Sequence, residues 1–431
     1  MSPPYFEVVS DMPLEFDSKS SVPIHGANSL HLHTSRKQEL GLPNVVLFGT
    51  GVVGRAILKA HISAGVSVCI ADQNDDSMHS AVAEMANGKL MDGSWKVSPV
   101  QVGGCSLLSL TSSDFVGTTD PVFVIESIPE RLDVKQTFFR EAEQMFGADA
   151  ILCSNTSTLR IEDIASSTSC PKRVCGMHFF MPVDQRSAVE IVRTDTTSPR
   201  TIATCLSHAQ RIHKTPLVVR DHTGFVVNRI LSPYLNQALM LLAHGVPADQ
   251  IENAAIEYGM PFSPLELIDW IGTRTMFDAG RAFWQAFPTR IDPSPIVPAL
   301  IKKKRSGRAL GAGLYDYESG VRSKRLSQQT LKIIEKYQID RIEWTHADLV
   351  HLLAIPMWIE ACLAIQDGVV DRPNDFNIAM SGGLGYRSAA NWIEFFRTMG
   401  LAKIDRAIQR WGDRFRSMSR PSDLDLGSLL K

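Results

Sequence analysis

Short continuous apolar runs alternating with stretches of helical period fill the first half of the chain, while helical period alone governs the second. Asn44-Val45-Val46-Leu47-Phe48 reads as a buried strand, an apolar-periodic helix follows to about Ala64, and Gly65 ends it. A second strand, Val66 to Ala71, stops at Asp72. Further strands are predicted at Pro121 to Glu126, Ala150 to Ser154 and Arg173 to Met177, with a helix over Leu132 to Phe146. Strands alternating with helices in this way make a doubly wound parallel sheet, whose ligands lie outside the carboxyl ends of the strands.

Beyond Val219 the period is helical, and the sequence repeats itself. Arg229 to Val246 matches Leu352 to Val369 at a constant offset of 123, each copy with a proline early, alanine in the middle and Gly-Val at the end. Asn228 in the first copy corresponds to His351 in the second. The organisation expected is an extension over residues 1–40 without regular period, an α/β domain over 41–219, and two related all-α domains over 220–318 and 319–431.

Composition narrows the classes. With 431 residues, a net charge of −2 and 44% apolar content, the chain reads as a soluble globular protein, with no global charge suited to nucleic acid or an anionic membrane. The seven scattered cysteines include no Cys-x-x-Cys pair, which points to reduced thiols in the cytoplasm and away from a disulfide framework or a metal site. His31 and His33 lack companion ligands. The richest apolar stretches, such as Ala238 to Val246, read as shorter than a membrane span, and no export signal opens the sequence. The basic run from Lys302 to Arg308 reads as a solvated loop, and Gly311 to Tyr317 as a turn into a short extended piece.

The candidate chemistry begins with Gly49-Thr50-Gly51-Val52-Val53-Gly54, between the first strand and its helix. A glycine turn in that context, with an acid after the next strand, is a dinucleotide fingerprint. Gly49 allows the tight turn, Gly51 the approach of a pyrophosphate, and Gly54 the packing of helix on strand, while Val52 and Val53 open the helix facing the phosphates. Asp72 suits a ribose hydroxyl, and the absence of an arginine directly after it favours NAD over NADP. The fold expected is therefore a Rossmann-type domain followed by the helical repeat. Polar residues stand at other strand ends: Glu126 and Glu130, Asn155 and Ser157, and then His178. Twelve positions after His178, Glu190 lies between Val189 and Ile191. A histidine exchanges protons near neutral pH, and a carboxylate orients it and stabilises its charged form. The pair is the candidate catalytic centre.

These residues, with the segments Ser154-Asn155-Thr156-Ser157, Gly176-Met177-His178-Phe179-Phe180, Thr223 to Arg229 and Pro264-Leu265-Glu266-Leu267, make the chain resemble the 3-hydroxyacyl-CoA dehydrogenases of fatty-acid β-oxidation from about Asn44 to Phe415. The resemblance implies NAD as cofactor and an acyl-CoA-type substrate. It makes His178 the catalytic histidine and Glu190 its partner, and places Ser157 and Asn228 at the substrate oxygen. It also assigns Asp72 and Gln73 to the adenosine, and Glu130, Lys135 and Asn155 to the nicotinamide ribose. A homodimer is expected, although a chain with two helical modules can cover the pairing surface internally.

The sequence departs from the family pattern at three places. Met181 stands where the family commonly has asparagine, Val53 and Arg55 are bulkier than usual, and the segment from Asp72 to Val122 is shorter than one that carries a CoA-holding helical pair in single-activity members. Only about forty residues precede the α/β domain, so hydratase activity is not expected. The alternatives are a repurposed NAD-binding homologue, a dehydrogenase of another 3-hydroxy acid, and a Ser157–His178–Glu190 hydrolase. The last leaves the nucleotide fingerprint unused and lacks a Gly-x-Ser-x-Gly elbow.

Overall fold

The computed structural model describes residues 45–66, 68–87, 96–102, 105–111 and 122–431. The N-terminal extension with His31 and His33 lies outside them. The chain divides between Phe225 and Val226 into two units.

The first unit begins with β1 (Val45–Phe48), α1 (Val52–Ser63), β2 (Cys69–Asp72) and α2 (Asp75–Asn87), followed by β3 (Lys96–Val102) and β4 (Cys105–Thr111). It continues with β5 (Phe123–Glu126), α3 (Leu132–Phe146), β6 (Ile151–Ser154), α4 (Ile161–Ala165) and β7 (Val174–Phe179), and ends with β8 (Ala188–Arg193), α5 (Pro199–Arg211) and β9 (Thr215–Arg220). The strands form one sheet in the order β3-β4-β2-β1-β5-β6-β7-β8-β9. The segment β2-β1-β5-β6-β7 is parallel, as the alternating pattern predicts. After β1 the chain runs to β2 on one side, and β5 takes up the other, which makes the switch point where α/β sheets bind ligands. The apolar runs are buried on both faces: Val45, Leu47, Ile70, Ile125 and Cys153 join one core with Ile57 and Leu58 of α1.

Two features differ from a purely parallel sheet. β7 and β8 are antiparallel, so β7 runs on through His178, which lies inside the strand and not after it. At the opposite edge, the segment after Asp72 forms α2 and then an antiparallel hairpin, β3–β4, seated against β2.

The second unit opens with α6 (Val227–Ala243), α7 (Ala248–Tyr258), α8 (Pro264–Ile271), α9 (Thr273–Ala286) and α10 (Ile296–Lys302). A hairpin of β10 (Tyr315–Glu318) and β11 (Val321–Leu326) interrupts the predicted all-helical run. Then come α11 (Gln328–Lys336), α12 (His346–Gln366), α13 (Asp375–Ile378), α14 (Trp392–Met399) and α15 (Leu401–Trp411). The repeat is physical. α6 and α12 each contain a proline, and both end on a left-handed glycine, Gly245 (φ 85°) and Gly368 (φ 67°). Val246 N–H donates to Leu241 O and Val369 N–H to Ala364 O, the same closing turn at the same offset. Farther on the copies slip by five residues. The eight-residue helices α8 and α14 and their N-caps Ser263 and Asn391 correspond at an offset of 128, as do the glycines that start α9 and α15.

Two sequence expectations need correction here. α12 is 21 residues long and apolar enough to cross a bilayer, so the apolar stretches are not all short; it is buried in the helical unit, where Glu360 within it pairs with Arg229. Arg305 of the basic run is 6% exposed and not solvated, because its guanidinium donates to Tyr315 O (3.0 Å) and Asp316 Oδ1 (2.6 Å) and so fixes the Gly311 to Tyr317 turn.

Candidate active site

The glycine turn follows β1 directly. Gly49 has φ 92°, and a Cβ there would lie 2.3 Å from Ser127 O, so both its conformation and its neighbour demand glycine. A Cβ on Gly54 would come within 1.9 Å of Gly49 O, which welds helix to turn. At Gly51 nothing lies within 4 Å of the Cβ position. Gly51 is the N-cap of α1 and carries no side-chain cap, and a helix N-terminus attracts anions. Val52 is exposed, and Val53 packs against the core. A cavity of about 510 Å³ adjoins the turn, walled by Thr50, Gly51, Val52 and Arg55 and by the segment from Met181 to Asp184. A dinucleotide pyrophosphate fits this turn because the space it needs is the space a Cβ at Gly51 would otherwise take. Met181, the departure beside His178, is 45% exposed on the cavity wall.

Asp72 ends β2. Its Oδ2 accepts from Thr50 N–H (2.6 Å) and Thr50 Oγ1 (2.9 Å), and its Oδ1 from Asn74 N–H (2.9 Å). A carboxylate has further lone pairs for ribose hydroxyls. Gln73 is exposed next to it.

The ends of β5 and β6 are joined by charge. Glu126, fully buried, receives Lys135 Nζ at 2.8 Å on both oxygens, Ile128 N–H at 3.0 Å and the Ser154 hydroxyl. Lys135 also lies 3.5 Å from Glu130. Glu130 Oε1 accepts from the backbone N–H groups of Ser157 and Thr158 (2.9 Å each) and from the hydroxyls of Thr156 and Thr158 (2.8 Å each). Burial pushes the Glu130 carboxyl up, but Lys135 and these donors outweigh it and hold it below the ordinary carboxylate range. The loop carrying Ser157 is thereby ordered around an anion. Asn155 Oδ1 accepts Phe179 N–H at 2.9 Å, tying the end of β6 to the end of β7.

His178 and Glu190 are direct cross-strand partners in the antiparallel β7–β8 pair, and so share a face of the sheet. His178 Nδ1 donates to Glu190 Oε2 at 2.7 Å, with the histidine 6% and the glutamate 0% exposed. Phe180 and Phe225 flank the imidazole with ring centroids 4.9 and 5.7 Å away. Gly176 makes the pairing close: a Cβ there would meet Val192 Cβ at 2.6 Å.

The first unit thus brings together the glycine turn, Asp72, Glu130, Lys135, Asn155, Ser157, His178 and Glu190 along the carboxyl edge of one sheet. Asn228 belongs to the second unit, as the second residue of α6. Glu126 and Thr50 join the site through contacts that the sequence signals only weakly. The available signals were an acid closing a buried strand and a hydroxyl between two turn glycines. Among the described residues no group of three or more His, Cys, Asp or Glu side chains is placed to hold a metal.

Comparison with known proteins places this geometry in a family. Residues 44–222 match the 3-hydroxyacyl-CoA dehydrogenase NAD binding domain and residues 224–317 the C-terminal domain of the same family, together well over half of the chain. A peroxisomal fatty acid beta-oxidation multifunctional protein of Arabidopsis thaliana is 29% identical over 88% of the chain and 54% of its own length. The chain spans about half the length of the curated relatives it matches. Among solved structures, a 3-hydroxybutyryl-CoA dehydrogenase from Escherichia coli K12 shares the fold, with a TM-score of 0.70 at 20% identity over 90% of this chain and 98% of that one. A (S)-3-hydroxybutyryl-CoA dehydrogenase from Ralstonia eutropha is 28% identical, with a TM-score of 0.54, over 64% of this chain and 100% of that one. A strand, glycine turn and helix that match an NAD-binding domain, followed in order by that family's own C-terminal domain, make this chain a member of the 3-hydroxyacyl-CoA dehydrogenase family of NAD-binding oxidoreductases.

Proposed function

We propose that the protein oxidises a 3-hydroxyacyl-CoA to the 3-oxoacyl-CoA with NAD, and catalyses the reverse reaction, using His178 as general base and acid and Glu190 as its partner. The observation that carries this reading is the 2.7 Å bond from His178 Nδ1 to a fully buried Glu190, on the strand edge of the NAD-binding domain. Bound at the glycine turn, NAD would supply the hydride acceptor that oxidation at C3 of the substrate requires. With Nδ1 held by Glu190, Nε2 of His178 takes the proton of the 3-hydroxyl. The imidazolium so formed is balanced by the buried carboxylate, and in the reducing direction the same nitrogen returns the proton. The Gly49 to Gly54 turn and Asp72 hold the pyrophosphate and adenosine ribose, with Gln73 beside the adenosine. Glu130, Lys135 and Asn155 define the nicotinamide ribose site, and Ser157 binds the substrate oxygen. The 3-hydroxybutyryl-CoA dehydrogenase of Ralstonia eutropha, 28% identical, supports the substrate class.

The test measures NADH formation from 3-hydroxybutyryl-CoA, its longer homologues and the free 3-hydroxy acids, with the wild type and His178→Gln. Turnover of CoA esters that is lost in the variant is the expected result. NAD binding without turnover of any 3-hydroxy substrate would overturn the reading, and turnover of free acids alone would replace the substrate class.

A further inference from the structure

The residue between the first two turn glycines has every polar atom engaged, although no part of the mechanism uses it. Thr50 is 1% exposed. Its N–H and its hydroxyl both reach Asp72 Oδ2, at 2.6 and 2.9 Å. The hydroxyl is also 2.8 Å from Ser77 Oγ on α2. A hydroxyl has one proton and a carboxylate only accepts, so Thr50 donates to Asp72 and Ser77 supplies the second bond. Thr50 O in turn accepts from Arg55 Nε at 2.8 Å, and the same guanidinium reaches Ser80 Oγ (3.0 Å) and Glu84 (3.2 Å) on α2. Arg55, bulkier than the family pattern, thus braces the turn against the helix that follows Asp72.

We propose that Thr50 is a positioning residue for the cofactor: it pins the Asp72 carboxylate at the end of β2, so that a fixed negative charge receives the ribose hydroxyls and repels a 2′-phosphate. An aspartate held by one oxygen alone could rotate away from a phosphate. With Oδ2 bonded twice and Oδ1 bonded to Asn74 N–H, it stays. The inference rests on NAD binding at this turn, and it adds the source of the preference for NAD over NADP.

The experiment measures equilibrium dissociation constants of the full chain for NADH and NADPH by the change in nicotinamide fluorescence, with thermal melting beside them. Thr50→Val keeps the shape and removes the hydroxyl donor. It is expected to weaken NADH binding about fivefold to tenfold, with NADPH affected less, so that the preference falls. Thr50→Ser is expected to restore it, which a loss of packing would not explain. Should Thr50→Val fold poorly, Ser77→Ala removes the bond that orients the Thr50 hydroxyl and is expected to lower the preference by about threefold. A preference unchanged in whichever folded variant is read would overturn the proposal. Failure of the wild type to bind NADH would overturn the cofactor reading itself, whereas an unchanged Thr50→Val beside a weakened Asp72→Ala would remove only the role of Thr50.

Discussion

Glu190→Gln is the most direct probe of the proton relay. Glutamine keeps the volume, and its carbonyl can still accept the Nδ1 proton, so the orientation of His178 is retained while the negative charge is lost. Both groups are nearly inaccessible, with His178 6% and Glu190 0% exposed, so bulk water screens the pair little. With roughly 4 Å between charge centres and an effective dielectric constant of about 20, the carboxylate stabilises an imidazolium by about 4 kcal/mol. The amide dipole recovers part of this, leaving a loss of about 3 kcal/mol in the transition state, or roughly a hundredfold in kcat. Steady-state NADH formation from 3-hydroxybutyryl-CoA reads kcat, and NADH fluorescence reads cofactor affinity, which should stay within about twofold because the cofactor does not touch Glu190 in the proposed arrangement. A folded Glu190→Gln protein with kcat within about threefold of the wild type would refute the idea that the buried charge serves catalysis.

Gly51→Ala should fold normally, since its added Cβ meets nothing within 4 Å, yet weaken NADH binding at least about tenfold, whereas Gly54→Ala, with a Cβ 1.9 Å from Gly49 O, should cost about 3 kcal/mol in urea unfolding. Equal effects on melting temperature would contradict the turn geometry. In the helical unit Arg229, 0% exposed, donates to Glu360 at 2.6 Å, and Arg290 meets the same oxygen at 2.7 Å. Arg229→Met should destabilise by about 3 to 5 kcal/mol, with much of that recovered on adding Glu360→Met; strict additivity of the two would show the pair to be uncoupled. Between α1 and α5, His61 Nδ1 donates to Ile57 O, and His61 Nε2 lies 2.9 Å from His208 Nε2. Burial chiefly, aided by Arg211 and Lys214, lowers the His61 pKa to about 4, and burial with His61 and Arg211 lowers that of His208. The unfolded chain then binds protons that the folded chain refuses, so stability present above about pH 6.5 should fall by about 3 kcal/mol for His61 alone as the pH drops towards 4. Urea midpoints across that range check it, and a His61→Leu/His208→Phe double variant should lose most of the slope.

Much of the fold was legible because its signals are local. Strand, glycine turn, helix and closing acid lie within thirty residues, and their backbone needs follow from the residue types, so β1, α1 and Asp72 stand where they were expected. The helical repeat was legible for the same reason: a proline and a terminal Gly-Val shape a helix without outside help. The slip of the repeat from an offset of 123 to 128 was not, because little but helix caps survives there to be matched.

What the sequence by itself determined is an inventory: an NAD fingerprint, a set of polar residues at strand ends, and a histidine and a glutamate twelve positions apart. The tertiary structure decided which of them touch. His178 meets Glu190 because β7 and β8 are antiparallel in one register, and a slip of a single residue would send the two side chains to opposite faces. Lys135 is turned inward onto Glu126, and Thr50 onto Asp72, through contacts that join β5 with α3 and the glycine turn with β2. Period and composition report which face a residue prefers; they carry no information about the partner waiting on that face, since pairing between distant segments is set by the packing of the whole sheet.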